Sequence, residues 1–575
     1  MRSLLWPSGR PPGPTLARLD LDAVRDLELD RVADTLAEQR PDRRASILDA
    51  LIHLPSDAAT VRWRAGAMAD LLASPPLCDR LEAAAGALRL VGAHRPQAFG
   101  REVPRAARIG ARVVELGAYV EAVRRLHDAL AGEEARSVAL RALRDDVAAA
   151  AGAAEFRALE AEVPRWRRTL DEVRSVTVAI NVSPAMEPES ATIVGFSARP
   201  TGGDDAALAR MLGEPAGARG LVRLFRKQPV DWQGGTPLAA DVQALLEAVA
   251  APVERALGGF RLVQAQAVAH LEDELVLLLA GARMGRRWRA EGLPCCLAEV
   301  DADEGPGPGA PPGAARPRRD TGVEGAFHPV LAAALRPPSQ VVCNDVTFGE
   351  TARVWVLTGP NRGGKTSYLR AVGVVQVLGQ CGLPVPARRA RLRVVDRLFT
   401  HFPSAEAGRP GEGRLDEEAA RVARVFATCT ARSLVLLNEV LAGTSAAEGV
   451  ALAADVLRGF RAVGCDVVYA THLHELAMRC ADVNGSIDGP GRVASLTVET
   501  ALDPESPSLV RRPTYRVLPG APAGASFFAS LIARQHGIDL PHLLEGLRAR
   551  GVVAAPPPEA ASRPEGSRPP GGPAS

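Results

Sequence analysis

The sequence predicts a chain of two parts: a mostly α-helical N-terminal region and a C-terminal α/β region built on a mostly parallel sheet. Two observations predict this division. From about residue 19 to 175, apolar residues recur at the i, i+3, i+4 and i+7 spacing of amphipathic helices, most clearly over 58–91. From about 325 to 540, short apolar runs alternate with helical segments, which is the rhythm of βαβ units.

Length and composition limit what the chain can be. Its 575 residues allow about three or four domains, and 47% hydrophobic with 24% charged residues is ordinary globular usage. The formal net charge of +2 predicts no strong overall attraction to nucleic acid. The eight cysteines include no CxxC pair, so neither a zinc site nor a disulfide framework is predicted.

The sequence predicts neither a signal peptide nor a membrane-spanning helix in the helical region. The N-terminus lacks the long apolar segment of a signal peptide. The most apolar helical stretch, 261–282, is interrupted by Glu272, Asp273 and Glu274, so it does not have the pattern of a membrane span. The chain is therefore predicted to be cytoplasmic and to have no membrane partner.

The helical region is interrupted once by a β pattern. The runs 175–182 and 191–196 flank a turn that contains proline, which predicts a β-hairpin. Helical stretches are predicted over 58–91, 105–147, 151–175, 205–213 and 236–291.

Stretches rich in proline and glycine set the domain boundaries, because such stretches do not form a packed core. The predicted units are a disordered leader at 1–18, a helical domain at 19–302, a flexible insertion at 303–320, the α/β domain at 321–549 and a disordered tail at 550–575.

Within the α/β domain, strands and helices are predicted in alternation. Strands are predicted over 353–358, 391–399, 433–437 and 466–470, and helices over 364–381, 415–430 and 445–462.

The first strand runs into a glycine-rich loop that fits the pattern G-x-x-x-x-G-K-[ST]. Such a loop binds phosphate oxygens through its backbone N–H groups, while its lysine reaches the β- and γ-phosphates and its hydroxyl residue binds Mg²⁺. The lysine here, Lys365, is one of only two in the chain. The predicted ATP-binding residues are Gly359, Pro360, Asn361, Arg362, Gly363, Gly364, Lys365, Thr366 and Ser367, and Thr366 is also a predicted Mg²⁺ ligand.

Polar residues follow two further buried strands. Asn438 and Glu439 come at the end of the strand 433–437, and His472 follows the strand 466–470. Ligand chemistry in open α/β sheets lies at the carboxyl ends of the strands. We therefore predict that Asn438 serves Mg²⁺ through water, that Glu439 deprotonates the attacking water, and that His472 acts at the γ-phosphate.

These residues, in this order, resemble the MutS family of DNA mismatch-repair ATPases, an ABC-type branch of the P-loop enzymes. The resemblance extends from His328 to about residue 540. It is carried by LTGPNRGGKTSYLRAVG (357–373), RLFTHF (397–402), SLVLLNEVLAGTSAAEG (433–449), ATHLHEL (470–476) and YRVLPGAPAGASFFASLIARQHGI (515–538).

The resemblance implies ATP and Mg²⁺ as cofactors, DNA as a partner, and a homodimer in which each nucleotide is capped by the other subunit. Gly443, Thr444 and Ser445 match the family's loop across the dimer interface. The segment 340–344 corresponds to its adenine-contacting stretch, and no aromatic residue occurs there to stack on the base. The helical region resembles the family's levers.

Three features depart from the family pattern. Asn438 stands where most members have Asp, which lowers the expected hydrolysis rate and metal affinity. The segment 408–418 contains no Ser or Thr to cap the partner's phosphate. About 320 residues precede the ATPase domain, too few for the family's mismatch-reading domain, connector, levers and clamp together. Phe348-Gly-Glu350 matches the family's mismatch wedge, but it lies just before the strand of the glycine-rich loop rather than in an N-terminal reading domain, so it is interpreted as a coincidence.

The leading hypothesis is therefore a MutS-like, DNA-binding ATPase for repair or recombination, without its own mismatch-reading domain. Two alternatives stay open: a nucleotide-binding switch or scaffold that hardly hydrolyses ATP, and an ABC-type ATPase that does not act on DNA. The basic segments 165–168 and 283–289 fit either DNA phosphate contacts or solvated helix faces.

Overall fold

The computed structural model describes most of the chain in two connected regions. The described residues are 1–8, 17–38, 40–93, 104–132, 135–182, 184, 188–199, 237–260, 263, 265–300, 320–403, 414–441, 445–502, 511–521 and 537–550. The predicted helix at 205–213, most of the predicted insertion at 303–320 and nearly all of the predicted tail at 550–575 lie outside them.

The described part of the first region is mostly helical. Its helices are α1 (Leu21–Asp26), α2 (Leu29–Leu36), α3 (Arg44–Ile52), α4 (Ala58–Ala73), α5 (Pro75–Ala93), α6 (Arg105–Leu130), α7 (Val138–Gly152), α8 (Ala154–Asp171), α9 (Pro237–Leu257) and α10 (His270–Ala290). Its strands are β1 (Ala17–Arg18), β2 (His53–Leu54) and the antiparallel hairpin β3 (Ser175–Val182) and β4 (Pro188–Ser197).

Polar N-caps explain where several of these helices begin. The side chains of Asp20, Asp57 and Ser137 accept hydrogen bonds from backbone N–H groups in the first turns of α1, α4 and α7.

The stretch predicted as one helical segment over 236–291 is instead two helices. Gly258 and Gly259 follow α9, and glycine in a helix interior costs about 1 kcal/mol relative to alanine.

The N-terminal residues correct the prediction of a disordered leader at 1–18, because residues 1–8 pack against the helices. Leu4 is fully buried, and its backbone N–H donates to Glu274 of α10 at 2.6 Å. The Ser3 hydroxyl donates to the same carboxylate at 2.5 Å, and Trp6 covers the Arg64 guanidinium. Apolar residues and a buried carboxylate partner therefore order a segment whose composition alone predicts disorder.

The second region holds two sheets and the helices around them. Its strands are β5 (Glu299–Val300), β6 (Thr321–Ala326), β7 (Asn344–Phe348), β8 (Val354–Thr358), β9 (Arg389–Leu392), β10 (Leu398–His401), β11 (Leu434–Asn438), β12 (Asp466–Thr471), β13 (Val493–Leu502) and β14 (Arg511–Pro519). Its helices are α11 (Pro329–Ala334), α12 (Lys365–Gln380), α13 (Arg414–Thr428), α14 (Ala446–Val463), α15 (His474–Met478), α16 (Cys480–Ser486) and α17 (Leu540–Ala549).

The larger sheet has the strand order β10-β11-β12-β8-β13-β14. Its first four pairings are parallel, and β14 is antiparallel to β13. Every residue of β8, β11 and β12 is buried, as expected for strands covered on both faces. The smaller sheet has the order β5-β9-β6-β7.

The segment predicted as one strand over 391–399 is instead two strands in different sheets, β9 and β10. Polar residues between them explain the break. The Arg393 side chain donates to Asp466 at 2.6 Å, and Asp396 accepts from the hydroxyls of Thr430 and Ser433 at 2.5 and 2.9 Å. These bonds fasten the segment between β9 and β10 to the amino ends of β11 and β12.

The corner between α1 and α2 joins the helical region to the larger sheet. Arg370 of α12 donates to the Asp26 carbonyl oxygen at 2.9 Å. The Asp26 carboxylate accepts from the Thr400 hydroxyl at 2.8 Å and from the Phe402 N–H at 3.1 Å. Leu27 occupies the space beside Gly373, where a Cβ would lie 2.4 Å from the leucine side chain.

The basic segments are partly neutralised by acidic neighbours. Arg283 and Arg287 of α10 pair with Glu82 and Glu38 at 2.8 and 2.6 Å, and Arg165 of α8 pairs with Glu162 at 2.8 Å.

Phe348 is buried in β7, which agrees with its interpretation as a chance match to a wedge. Among the residues that the structure describes, no helix is both long enough and apolar enough to cross a bilayer.

Candidate functional site

The glycine-rich loop connects β8 to α12 at the carboxyl end of the larger sheet. Gly363 donates its N–H to the Pro360 carbonyl at 3.0 Å, and a Cβ on it would lie only 2.8 Å from that oxygen. Gly364 begins the helix with a φ of 90°, a conformation that is unfavourable for other residues. The loop therefore directs the first N–H groups of α12 into the space above the sheet.

Lys365 is a buried cation of the site. Its Nζ donates to the carbonyl oxygens of Gly359 and Pro360 at 3.0 and 3.3 Å and lies 3.7 Å from the Glu439 carboxylate. Burial lowers the pKa of Lys365, and the charge of Glu439 opposes that shift. The ammonium group is thus held among acceptors, with one anionic partner.

Asn438 and Thr366 meet beside this lysine. Asn438 Nδ2 donates to Thr366 Oγ1 at 3.3 Å. Asn438 Oδ1 is buried and has no hydrogen-bond partner. Buried polar atoms in native proteins are nearly always paired, so an orphaned one requires an explanation. A ligand or an ordered water in the site would provide one.

Glu439 adopts an unusual backbone conformation at the end of β11. Its φ of 52° lies in the left-handed region, which non-glycine residues rarely occupy and which concentrates at functional sites. Its N–H donates to the Ala470 carbonyl at 2.8 Å. Leu441, with a φ of 62°, donates its N–H to Glu418 of α13 at 2.7 Å. These bonds hold the strained segment in place.

Two histidines follow β12, and the structure distinguishes them. The predicted His472 is exposed. His474, two residues later, is partly buried, and its Nδ1 is buried without a hydrogen-bond partner. Burial lowers the pKa of His474, and the charges of Lys365 and His472 lower it further. His474 was missed from the sequence, although the repeated histidine in ATHLHEL is a visible signal.

A cavity of about 630 Å³ opens over the loop. Asn361, Arg362, Ser367 and Glu439 line it together with the glycines, lysine and threonine of the loop. The rest of the lining is mostly apolar, as in many ligand-binding pockets. It consists of Ala326, Phe327, His328, Leu331, Leu335, Gln340, Val341, Val342, Asn344, Tyr368, Ala371 and Tyr515.

Tyr515 supplies an exposed aromatic ring to the cavity. Its φ is 63°, and its ring lies against Gly364, 3.3 Å from the position of a Cβ there. Asn344 fixes the backbone, because its Nδ2 donates to the Tyr515 carbonyl at 3.0 Å and its Oδ1 accepts from the Val517 N–H at 2.7 Å. An aromatic side chain, which the segment 340–344 lacks, thus reaches the cavity from β14.

The predicted interface loop is only partly described. Ser445 is the N-cap of α14 and its hydroxyl also donates to the Glu448 carboxylate at 2.8 Å. Gly443 and Thr444 lie outside the described residues.

Magnesium is compatible with the oxygen atoms at this site. Mg²⁺ in nucleotide sites is typically held by one or two protein oxygens, substrate phosphates and waters rather than by a protein cage. The Thr366 hydroxyl and the unpartnered Asn438 Oδ1 are such oxygens. Among the described residues, no cluster of three or more His, Cys, Asp or Glu side chains has the arrangement of a metal site.

Comparison with known proteins agrees with this geometry. Residues 355–488 match MutS domain V. A DNA mismatch repair protein MutS of Granulibacter bethesdensis is 39% identical over 157 residues, or 27% of this chain and 17% of that protein. DNA mismatch repair protein MutS 2 of Halobacterium salinarum is 43% identical over 155 residues, covering 27% and 18% of the two chains.

A longer match is to a DNA mismatch repair protein MutS of Erythrobacter litoralis, 35% identical over 246 residues, or 42% of this chain and 25% of that protein. The chain therefore matches only a quarter or less of the length of these relatives. Within the C-terminal part that the matches cover, the predicted resemblance to the MutS family is confirmed.

Proposed function

We propose that the chain is a MutS-like protein that binds ATP with Mg²⁺ at the glycine-rich loop, hydrolyses it, and acts on DNA in repair or recombination. One observation carries the proposal: Lys365, Thr366, Asn438 and Glu439 converge at the carboxyl end of a parallel sheet, beside one cavity of about 630 Å³. That volume lies within the usual range for small-molecule sites.

The loop and Lys365 would bind the phosphates. Backbone N–H groups at the start of α12 are free to donate to phosphate oxygens. Lys365 now interacts with two carbonyl oxygens and Glu439, and a triphosphate is a stronger anionic partner than either. Binding would therefore draw the ammonium group away from Glu439 and free that carboxylate.

Glu439, once released, would act as the general base that takes a proton from the attacking water. Thr366 and Asn438 would hold Mg²⁺, which when bound neutralises charge on the β- and γ-phosphates. We include His472 as a residue near the γ-phosphate and add His474, because its unpartnered Nδ1 lies in the electrostatic field of Lys365.

The apolar wall and Tyr515 would receive the base. Leu331, Leu335 and Val341 offer apolar contact, and the half-exposed Tyr515 ring offers a stacking surface. The loop Gly443–Ser445 would contact a second copy in a homodimer. The role on DNA rests on the names of the relatives, which are mismatch repair proteins.

The test is a DNA-binding titration of the full chain, with and without ATP, on duplex, single-mismatch and branched DNA. We expect binding that weakens with salt and changes with ATP. We expect less than a tenfold preference for a mismatch, or about 1.4 kcal/mol. Salt-insensitive or absent DNA binding would favour an ABC-type ATPase with another substrate.

One observation favours a second candidate, a nucleotide-binding switch that hardly hydrolyses ATP. The Asn438 amide donates to Thr366 Oγ1, whereas a carboxylate could only accept a hydrogen bond from that hydroxyl. The Asn438 amide N–H therefore occupies a lone pair of Thr366 Oγ1 that a metal ion would otherwise take. Single-turnover hydrolysis with DNA present separates the two: stable bound ATP with no product would favour the switch.

A further inference from the structure

The segment that follows β11 is strained at two of its first three residues. Glu439 and Leu441 adopt φ angles of 52° and 62°, in the left-handed region that non-glycine residues rarely occupy. Such a conformation persists only where the surrounding contacts over-determine it. Because Glu439 is also the predicted base, the contacts that maintain this backbone conformation determine where its carboxylate lies.

Hydrogen bonds from β12 and α13 hold this segment. The Glu439 N–H donates to the backbone of β12 at 2.8 Å. The Tyr469 hydroxyl, also from β12, donates to the Val440 carbonyl at 2.7 Å. From α13, the Glu418 carboxylate accepts from the Leu441 N–H at 2.7 Å. Each residue of the strained segment therefore has a backbone group bonded to a neighbouring element.

The two side chains that make these bonds are buried. Tyr469 is fully buried and Glu418 nearly so, and Tyr469 shares an apolar cluster with Val440 and Leu441. Burial and the nearby charge of Glu418 raise the pKa of the Tyr469 hydroxyl, so this hydroxyl stays protonated and remains a donor. Hydrogen bonds between buried groups are costly to lose, because water does not replace them.

The Glu439 side chain is held less firmly than its backbone. Its carboxylate is 34% exposed and lies 3.7 Å from Lys365 Nζ. In the proposed reaction ATP draws Lys365 away, and this contact is lost. The backbone contacts then determine where the carboxylate lies relative to the attacking water. A general base works only within hydrogen-bond distance of the proton it takes, so a small shift of the backbone is enough to disable it.

We propose, on the basis of the ATPase function proposed above, that Tyr469 and Glu418 are positioning residues for hydrolysis. They keep the Glu439 carboxylate within reach of the attacking water by holding the backbone of Val440 and Leu441. Both residues lie outside the described lining of the nucleotide cavity. Their substitution should therefore slow hydrolysis and leave ATP affinity unchanged.

The first test is hydrogen exchange of the backbone amides in the nucleotide-free, full-length chain. In Tyr469→Phe, which removes one hydroxyl and keeps the ring, the Glu439 and Leu441 amides should exchange roughly tenfold faster, as expected for the loss of a buried hydrogen bond. Tyr119→Phe, which removes a hydroxyl from α6 in the helical region, is the matched control and should not change these amides. Unchanged exchange in folded Tyr469→Phe would overturn the proposal.

The second test separates ATP binding from hydrolysis. For Tyr469→Phe and Glu418→Ala we expect ATP affinity within about twofold of the wild type, but single-turnover hydrolysis slower by roughly tenfold to a hundredfold, the size of effect that a small misplacement of a catalytic group has. Glu418→Gln keeps an oxygen that accepts from the Leu441 N–H and should restore most of the rate. Equal losses in the Ala and Gln variants would overturn the role of Glu418 as an acceptor.

A double-substitution cycle distinguishes positioning from a general loss of stability. In the Glu439→Gln background, Tyr469→Phe should change the hydrolysis rate by less than about twofold, because its effect passes through Glu439. A full effect in that background would contradict the proposal. If Glu439→Gln alone hydrolyses ATP at the wild-type rate, the proposed base itself is wrong. If Glu439→Gln is slow and Tyr469→Phe is not, only the positioning role is wrong.

Discussion

Buried polar groups are fully paired at the amino ends of strands β11 and β12 and incompletely paired at their carboxyl ends. At the amino end, both carboxylate oxygens of Asp466 are bound by guanidinium groups, of Arg353 at 2.9 Å and Arg393 at 2.6 Å. At the carboxyl end, Asn438 Oδ1 is buried without a partner, and Lys365 has its one carboxylate at 3.7 Å.

The difference teaches how to distinguish structural from ligand-binding polar residues within one sheet. A buried ion is tolerated when its geometry is good and its hydrogen bonds are complete, which describes Asp466. A polar atom that is buried and unpaired costs free energy. The unpaired oxygen of Asn438 at the carboxyl end is therefore a candidate for pairing with a ligand or a water. Four substitutions test this comparison, and they follow in order of expected effect.

The largest effect is expected for Lys365→Ala, which should abolish ATP binding while the fold is kept. Each charge-assisted hydrogen bond to phosphate is worth about 1.5–3 kcal/mol, so losing two corresponds to at least a hundredfold weaker binding. Isothermal titration measures the affinity, and circular dichroism checks the fold. Lys227→Ala, at the only other lysine, is the control. Tight ATP binding by folded Lys365→Ala would reject the phosphate-binding role of the loop.

Glu439→Gln should slow hydrolysis by roughly 10²–10⁴-fold and trap bound ATP, because an amide cannot take the proton from water. The control is Glu475→Gln, which removes the carboxylate of an exposed ion pair between Glu475 of α15 and Arg479. This control variant should hydrolyse ATP at the wild-type rate. Single-turnover kinetics with DNA measures all three proteins. If Glu439→Gln is as fast as the wild type, Glu439 is not the base.

Asp466→Ala tests the amino end, where the expected loss is of stability rather than of chemistry. Removing one partner of a buried ion pair costs about 3–5 kcal/mol, because the other charges stay buried. Urea unfolding should show this loss, while Asp455→Ala, in an exposed pair with Arg458, should stay within about 0.5 kcal/mol. A stable Asp466→Ala protein would remove the contrast between the two ends.

Local patterns predict well where the segments that carry the candidate site lie in the fold, when one segment contains the whole signal. As the sequence predicts, three segments meet at the carboxyl edge of one sheet. They are the loop from Gly359 to Thr366 and the ends of the strands before Asn438 and His472. Their contacts require only that neighbouring parallel strands end together.

Sequence patterns do not predict the structure where it depends on contacts between residues that are far apart in the chain. Residues 1–8 are ordered by Glu274, some 270 positions away, and the break between β9 and β10 depends on Asp466. Tyr515 enters the cavity through its pairing with Asn344, which no periodic pattern encodes. The sequence does not distinguish His474 from His472, because the two differ in burial, and burial depends on how the short helix α15 packs.

The smallest and most specific effect is expected for Asn438→Asp, which changes the charge of the carboxyl end and little else. In the wild type, Asn438 Nδ2 donates to Thr366 Oγ1, so the hydroxyl offers fewer lone pairs to a metal ion. A carboxylate accepts from that hydroxyl instead and adds a full negative charge near Mg²⁺. The added attraction predicts a Mg²⁺ requirement for hydrolysis that is lower by roughly tenfold.

The decisive measurement for Asn438→Asp is the hydrolysis rate across a Mg²⁺ series, paired with ATP affinity in EDTA. A shift confined to the Mg²⁺ midpoint, with metal-free ATP affinity equal or weaker, is the signature of a group that serves the metal. An unchanged midpoint would mean that position 438 does not serve the ion. The unpartnered Asn438 Oδ1 would then be explained by an ordered water, and the contrast with Asp466 would rest on Lys365 and Glu439 alone.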